Sequence, residues 1–142
     1  MSETTDRLIP IYTDAGVLVP YTVPEAPDPP TIALTASLTY YAEIGCSRNV
    51  GGVIQWVHDN ALKITSLTIE STALPREILS TYAAAAGGWV AESSITTITA
   101  AGGTAATARS PLIDVVMPRL RAVIVLGNVG GSLAGYLYTK GV

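Results

Sequence analysis

Phenylalanine is absent from this chain, and cysteine and histidine occur once each in 142 residues. A lone thiol, Cys46, can close no intrachain disulfide and cannot assemble the several thiolates of a structural zinc site. A lone imidazole, His58, leaves a catalytic triad or a zinc centre dependent on partners that are equally scarce. Charge is also thin, at 13% of residues, and the eight basic residues are scattered from Arg7 to Lys140 within a net charge of −3. That distribution lacks the clustered Lys and Arg with which proteins grip phosphate backbones, so no nucleic-acid partner is expected. Neither a G-x-x-x-x-G-K nor a G-x-G-x-x-G spacing occurs, which removes a motif for phosphate or dinucleotide binding. No cofactor and no metal are expected.

What is present is 49% hydrophobic and dominated by Ala, Thr, Ser, Gly and Val, a composition of small-residue β structure rather than of a Leu/Glu/Lys-rich helical bundle. The opening of the body, Ile32-Ala33-Leu34-Thr35-Ala36-Ser37-Leu38-Thr39-Tyr40, alternates with a period of two. Ile32, Leu34, Leu38 and Tyr40 are expected to share one face, with Thr35, Ser37 and Thr39 on the other, as in a half-buried strand. The period returns in 52–58, with Ile54 and Trp56 on one face, and in 62–70. There the apolar parity shifts from Leu62 and Ile64 to Leu67 and Ile69, which predicts a bulge near Thr65-Ser66. His58-Asp59-Asn60 reads as the intervening turn. Further strands are predicted over 89–92, 95–99, 105–107, 113–117, 120–126 and 132–139. Between Pro75 and Gly88 either a short helix, with Pro at its start and Gly at its end, or a long loop fits.

One uncharged run, Ala122 to Thr139, approaches the length of about 18 residues that a membrane-spanning helix needs. Its centre, Gly127-Asn128-Val129-Gly130-Gly131-Ser132, is turn chemistry. Leu120, Ala122, Ile124 and Leu126 on one side, and Leu133, Gly135 and Leu137 on the other, alternate as strands. A C-terminal β-hairpin is expected, and no membrane partner. Eight or nine short strands with Gly turns predict an all-β fold, an antiparallel β-sandwich or jelly roll with at most one short helix.

Residues 1–30 differ in kind, holding Pro10, Pro20, Pro24, Pro27, Pro29 and Pro30, six of the nine prolines. Such density opposes helix and central strand and favours an extended path. Two units are therefore expected, an N-terminal arm over 1–30 and a sandwich domain over 31–142 that folds without it. The arm's Leu8, Ile9, Ile11, Tyr12, Val17, Leu18, Val19 and Tyr21 are too apolar for a solvated tail and are expected to lie on a neighbouring subunit. Low charge with a mean hydropathy of +0.41 points the same way, to a closed homo-oligomer, a trimer for preference. Met1 to Asp6 is polar and acidic, without the basic start and apolar core of a secretory signal, so synthesis in a reducing cytoplasm is expected.

Constellations that could carry chemistry are sparse. Gly130-Gly131-Ser132-Leu133-Ala134 imitates a nucleophile elbow, but the eight residues after it supply neither acid nor histidine. Glu43, Asp59, Glu70, Glu92 and Asp114 could pair as a glycosidase would require, yet so few acids on a body of this size are an ordinary solvated complement. No catalytic residue is assigned. Trp56, Trp89, Tyr40 and Tyr41 could stack on sugar rings if exposed, although aromatic side chains in strands are more often core or interface.

The order Ile54-Gln55-Trp56-Val57-His58-Asp59-Asn60-Ala61, the run Leu67-Thr68-Ile69-Glu70-Ser71-Thr72, Gly88-Trp89-Val90-Ala91-Glu92 and the closing Arg119-Leu120-Arg121-Ala122-Val123-Ile124-Val125 with Gly141 resemble small β-sandwich structural proteins of tailed bacteriophage virions. The resemblance covers roughly residues 50–142. It implies a non-enzymatic capsid decoration or accessory subunit, made in the host cytoplasm and located in the virion, whose partners are copies of itself and other virion proteins such as the major capsid protein. A carbohydrate-binding attachment module, or a tail or fibre component of the same kind of particle, is the alternative.

Overall fold

The computed structural model describes residues 8–22, 31–45, 49–75, 88–112 and 119–141. Among them run twelve strands: β1 (Ile11–Thr13), β2 (Leu18–Val19), β3 (Tyr21–Thr22), β4 (Thr31–Ala33), β5 (Thr39–Gly45), β6 (Asn49–His58), β7 (Ile64–Thr72), β8 (Val90–Ala91), β9 (Ile98–Ala100), β10 (Ala106–Pro111), β11 (Arg119–Leu126) and β12 (Ser132–Gly141). They form two antiparallel sheets. One has seven strands in the order β2-β1-β5-β11-β7-β8, with β9 also on β7; the other has five in the order β10-β6-β12-β4-β3. The fold is all-β, a β-sandwich, as the alternation predicts. No helix among the described residues is long and apolar enough to cross a membrane. The helix-or-loop segment falls on 76–87 and the strand expected over 113–117 on 113–118, both outside the described residues.

The core follows the predicted parity. Ile54 and Trp56 of β6, Leu67 and Ile69 of β7, Leu120, Ala122, Ile124 and Leu126 of β11, and Leu133 of β12 are all buried in one cluster. The bulge is where the parity shift placed it. Val125 faces Ser66 and Leu126 faces Ile64, which leaves Thr65 out of register; the extra residue keeps Leu62 and Ile64 on the same buried side as Leu67 and Ile69. The turn after His58 also holds, with Asp59 Oδ1 accepting from the Ala61 and Leu62 backbone N–H groups at 3.2 and 3.1 Å.

Two readings are corrected by the topology. The alternating segment 31–41 is two strands, not one, because β4 belongs to the five-stranded sheet and β5 to the seven-stranded one. Between them the chain crosses the sandwich, so Leu34 is buried while Leu38 is 47% exposed. The crossing is fastened by Tyr40, whose buried hydroxyl accepts from the backbone N–H groups of Ala36 at 3.0 Å and Ser37 at 2.9 Å, an arrangement akin to the tyrosine corner of other sandwiches. The predicted C-terminal hairpin is likewise an arch, with β11 and β12 in opposite sheets. Its apolar faces look toward each other across the core rather than lying side by side, an outcome that the same parity permits.

Two glycines set close approaches. Gly131, at φ +96°, lies against Leu62 so tightly that a Cβ would sit 2.6 Å from Leu62 Cα. Gly135 of β12 faces Trp56 of β6, and a Cβ there would come within 2.5 Å of the indole. In urea titrations, Gly131→Ala is expected to cost about 3 kcal/mol or more, since backbone strain and overlap add. Gly135→Ala should cost about 1–3 kcal/mol through overpacking. Gly130→Ala in the same turn meets no neighbour and should cost about 1–2 kcal/mol from backbone strain alone. Equal losses at Gly130 and Gly131 would show that the Leu62 contact contributes nothing.

Candidate functional site

The described part of the N-terminal region is built from its prolines outward. Leu8 bridges Tyr136 and the Ile9 N–H donates to the Gly135 carbonyl at 2.8 Å, extending the edge of β12 beyond Ser132 and Leu133, where β4 pairs. After Pro10 the chain crosses to the other sheet, where Tyr12 pairs with Tyr41 and Thr13 with Tyr40. A turn closed by Gly16 N–H to the Thr13 carbonyl at 2.9 Å returns it as β2. After Pro20 it crosses back, and Tyr21 pairs with Ile32. A residue without an N–H ends a ladder, which is why both sheet changes coincide with proline.

This overturns the detached arm for residues 8–22. Ile9 and Ile11 are buried in the core of their own chain and Val19 packs against it, because β1 is inserted between β2 and β5. Leu8 and Tyr12 are half-buried. Of the eight residues expected on a neighbour, Val17 (61% exposed), Leu18 (54%) and Tyr21 (41%) remain at the surface. Leu18 and Tyr21 border an apolar groove of about 410 Å³ lined also by Leu8, Ile9, Pro10, Val19, Pro20 and Ile32. Residues 1–7 and 23–30 of the arm lie outside the described residues.

The four rings proposed for sugar stacking do not share a face. Trp56 and Tyr40 are fully buried, and the Trp56 Nε1–H donates to Ser110 Oγ at 3.1 Å. Trp89 and Tyr41 are half-buried on the outer side of the seven-stranded sheet and hold Arg121 between them, its guanidinium carbon 4.6 Å from the Trp89 ring centre and 5.1 Å from that of Tyr41. Arg121 also pairs with Glu70 at 2.7 Å, its Nε and one terminal nitrogen both reaching Oε1. Cation–π contacts and a charge-assisted hydrogen bond thus compensate a cation that is only 8% exposed. Glu92 accepts from the Ser71 hydroxyl beside it. This cluster clamps the segment at Trp89 onto β11 and β7.

The residues considered for catalysis are dispersed. His58 is buried with Nδ1 2.9 Å from the Asp59 carbonyl. Ser132 opens a strand, β12, rather than a helix, so the elbow geometry is not formed. Glu70 is tied to Arg121, Glu92 to Ser71 and Asp59 to its turn; Asp114 and Cys46 lie outside the described residues. No three His, Cys, Asp or Glu side chains gather as a metal site among the described residues.

A surface missed by the sequence reading lies on the outside of the five-stranded sheet. Register places Arg109, Gln55 and Tyr136 in one row, Pro111, Val53 and Tyr138 in the next, and Thr107, Val57 and Ala134 in a third. Burial pushes the Tyr136 phenol pKa up, which keeps its hydroxyl neutral. The signal was available: Tyr136 and Tyr138 have the opposite parity to Leu133, Gly135 and Leu137, and so belong to the opposite face. Against known proteins the chain stands apart: no protein family, no curated protein and no solved structure matches it.

Ile11→Ala should destabilise the chain by about 2–5 kcal/mol, and deletion of residues 1–30 should lower the melting temperature by far more than loss of a solvated tail. A melting temperature unchanged by the deletion would show that β1 contributes no core. Arg121→Ala should cost about 1–3 kcal/mol, discounted for the partial exposure of Glu70. It should also shift the tryptophan emission, a change that disappears in a Trp89→Phe background.

Proposed function

We propose that this protein is a non-enzymatic structural subunit of a tailed-bacteriophage virion, a capsid decoration or accessory protein that assembles with copies of itself and with other virion proteins such as the major capsid protein. The observation that supports this reading is the apolar rim at the N-terminal strap. Val17, Leu18 and Tyr21 stand exposed beside the apolar groove, on a chain with few charges to keep such surface in water. β2 is also an edge strand of its sheet, with backbone groups on its outer side for a neighbour's strand. Apolar contact supplies the affinity and the edge supplies the direction. The resemblance to phage β-sandwich proteins supplies the setting, a virion built in the host cytoplasm.

The attachment-module and tail-component readings stay secondary. Two of the four aromatic side chains that would have formed a sugar platform are core residues, and the other two are engaged by Arg121.

Light scattering of the full chain tests the assembly. A trimer of 14.7 kDa chains has a mass of about 44 kDa. Val17→Asp combined with Leu18→Asp should dissociate it while leaving the melting temperature of the sandwich within a few degrees, because both positions are exposed and surface changes usually cost less than about 0.5 kcal/mol. A monomer at every concentration that also fails to bind virion particles would overturn the proposal.

A further inference from the structure

The two sheets do not end alike. Of the strands at their edges, β2, β3 and β8 are two residues long and β9 three, whereas β10 runs for six, Ala106–Pro111. It pairs with β6 at every position, and among the described residues no strand lies on its other side. Proteins usually blunt such an edge with short strands, prolines or charges. β10 carries one charge, Arg109, whose Nε–H donates to Gln55 Oε1 at 3.1 Å. That bond turns the head back over β6 and away from the open side.

The register fixes which backbone groups face outward. The Leu112 N–H donates to the Gly52 carbonyl at 2.8 Å, and bonded and non-bonded pairs alternate along an antiparallel ladder. Ala106, Ala108 and Ser110 therefore exchange hydrogen bonds with β6. Thr107, Arg109 and Pro111 direct their backbone groups to the free side, and all three are exposed. Pro111, with no N–H, stands where the ladder to β6 asks for none.

We propose that β10 is the contact through which two copies of this chain pair, edge to edge and antiparallel, about a two-fold axis at Ala108. In that register Thr107 exchanges both hydrogen bonds with Arg109 of the partner subunit, and each arginine faces a threonine. Centring the pair on Arg109 instead opposes two like charges and sets Thr107 against a proline with nothing to donate. The occupant is a second copy because the edge is complementary to itself: the same two residues supply the donors and the acceptors, and an isologous contact uses each once and closes. Water meets these groups in the single subunit, so the pairing is weak. It lies at the opposite edge of the sheet from β3 and the strap and does not depend on the strap's contacts.

Sedimentation equilibrium tests this in the chain carrying Val17→Asp and Leu18→Asp, which removes any strap contact. The mass should rise from that of a 14.7 kDa monomer toward about 29 kDa with a Kd of about 0.1–1 mM, the scale of a contact smaller than a standard interface. Thr107→Glu, which sets a carboxylate opposite each arginine, should tighten pairing about fivefold, and Thr107→Lys should weaken it by about as much. Both should melt near the parent temperature, since the position is exposed. Arg109→Pro removes an outward N–H that β6 does not use and should abolish pairing. A chain that stays monomeric at several times the expected Kd, or a dimer whose Kd is unmoved by both Thr107 variants, would overturn the proposal. Strap assembly is read separately, in the parent chain at concentrations well below that Kd, so failure of one contact leaves the other measurable.

Discussion

The seat of Trp56 governs the five-stranded sheet. Its indole projects from β6, lies over Gly135 of β12 on one side and ties to Ser110 of β10 on the other, so one side chain touches all three of the longest strands of that sheet. In a chain without phenylalanine, this is the largest fully buried side chain. Burial of a tryptophan contributes several kcal/mol, on the order of 3–5 by the usual cost of truncation, provided its N–H has a partner. Gly135 and Ser110 meet those two requirements, space and an acceptor. A register slip of one residue would break both at once.

From that point the strap acquires its meaning. The edge of β12 beyond β4 is taken up by Leu8 and Ile9, with the Gly135 carbonyl accepting from Ile9. The same short segment then enters the other sheet beside β5. Residues 8–22 therefore fasten the two sheets to each other along one side, and the apolar groove lies between the two proline crossings. Ile9 and Ile11 stabilise the chain's own core, whereas Val17, Leu18 and Tyr21 stand at the surface.

The two outer faces are consequently different surfaces. On the seven-stranded sheet Arg121 is enclosed by Tyr41, Trp89 and Glu70, a closed set whose charges satisfy one another. On the five-stranded sheet Arg109 stands exposed and donates to the Gln55 side-chain amide. Internal neutralisation makes the first a clamp.

Much of this architecture is legible in the residue pattern. Period-two alternation specified the all-β class and which side of each strand is buried, and the parity break at Thr65-Ser66 located the bulge, because side-chain direction along a strand is a local property. Which sheet a strand joins is not local. Segments 31–41 and 120–139 read as a single strand and a hairpin, yet both cross the sandwich, since a buried face is equally well covered by an adjacent strand or by the opposite sheet. Proline density argued against a central strand in residues 1–30, yet β1 lies between β2 and β5 and the short pieces between Pro10 and Pro20 reach the core, because proline ends a ladder without barring the residues beside it from one. The aromatic side chains sorted themselves only in three dimensions, with Trp56 and Tyr40 inward, Trp89 and Tyr41 around Arg121, and Tyr136 and Tyr138 on β12 opposite Gln55 and Val53, because neighbours across strands are set by register rather than by sequence.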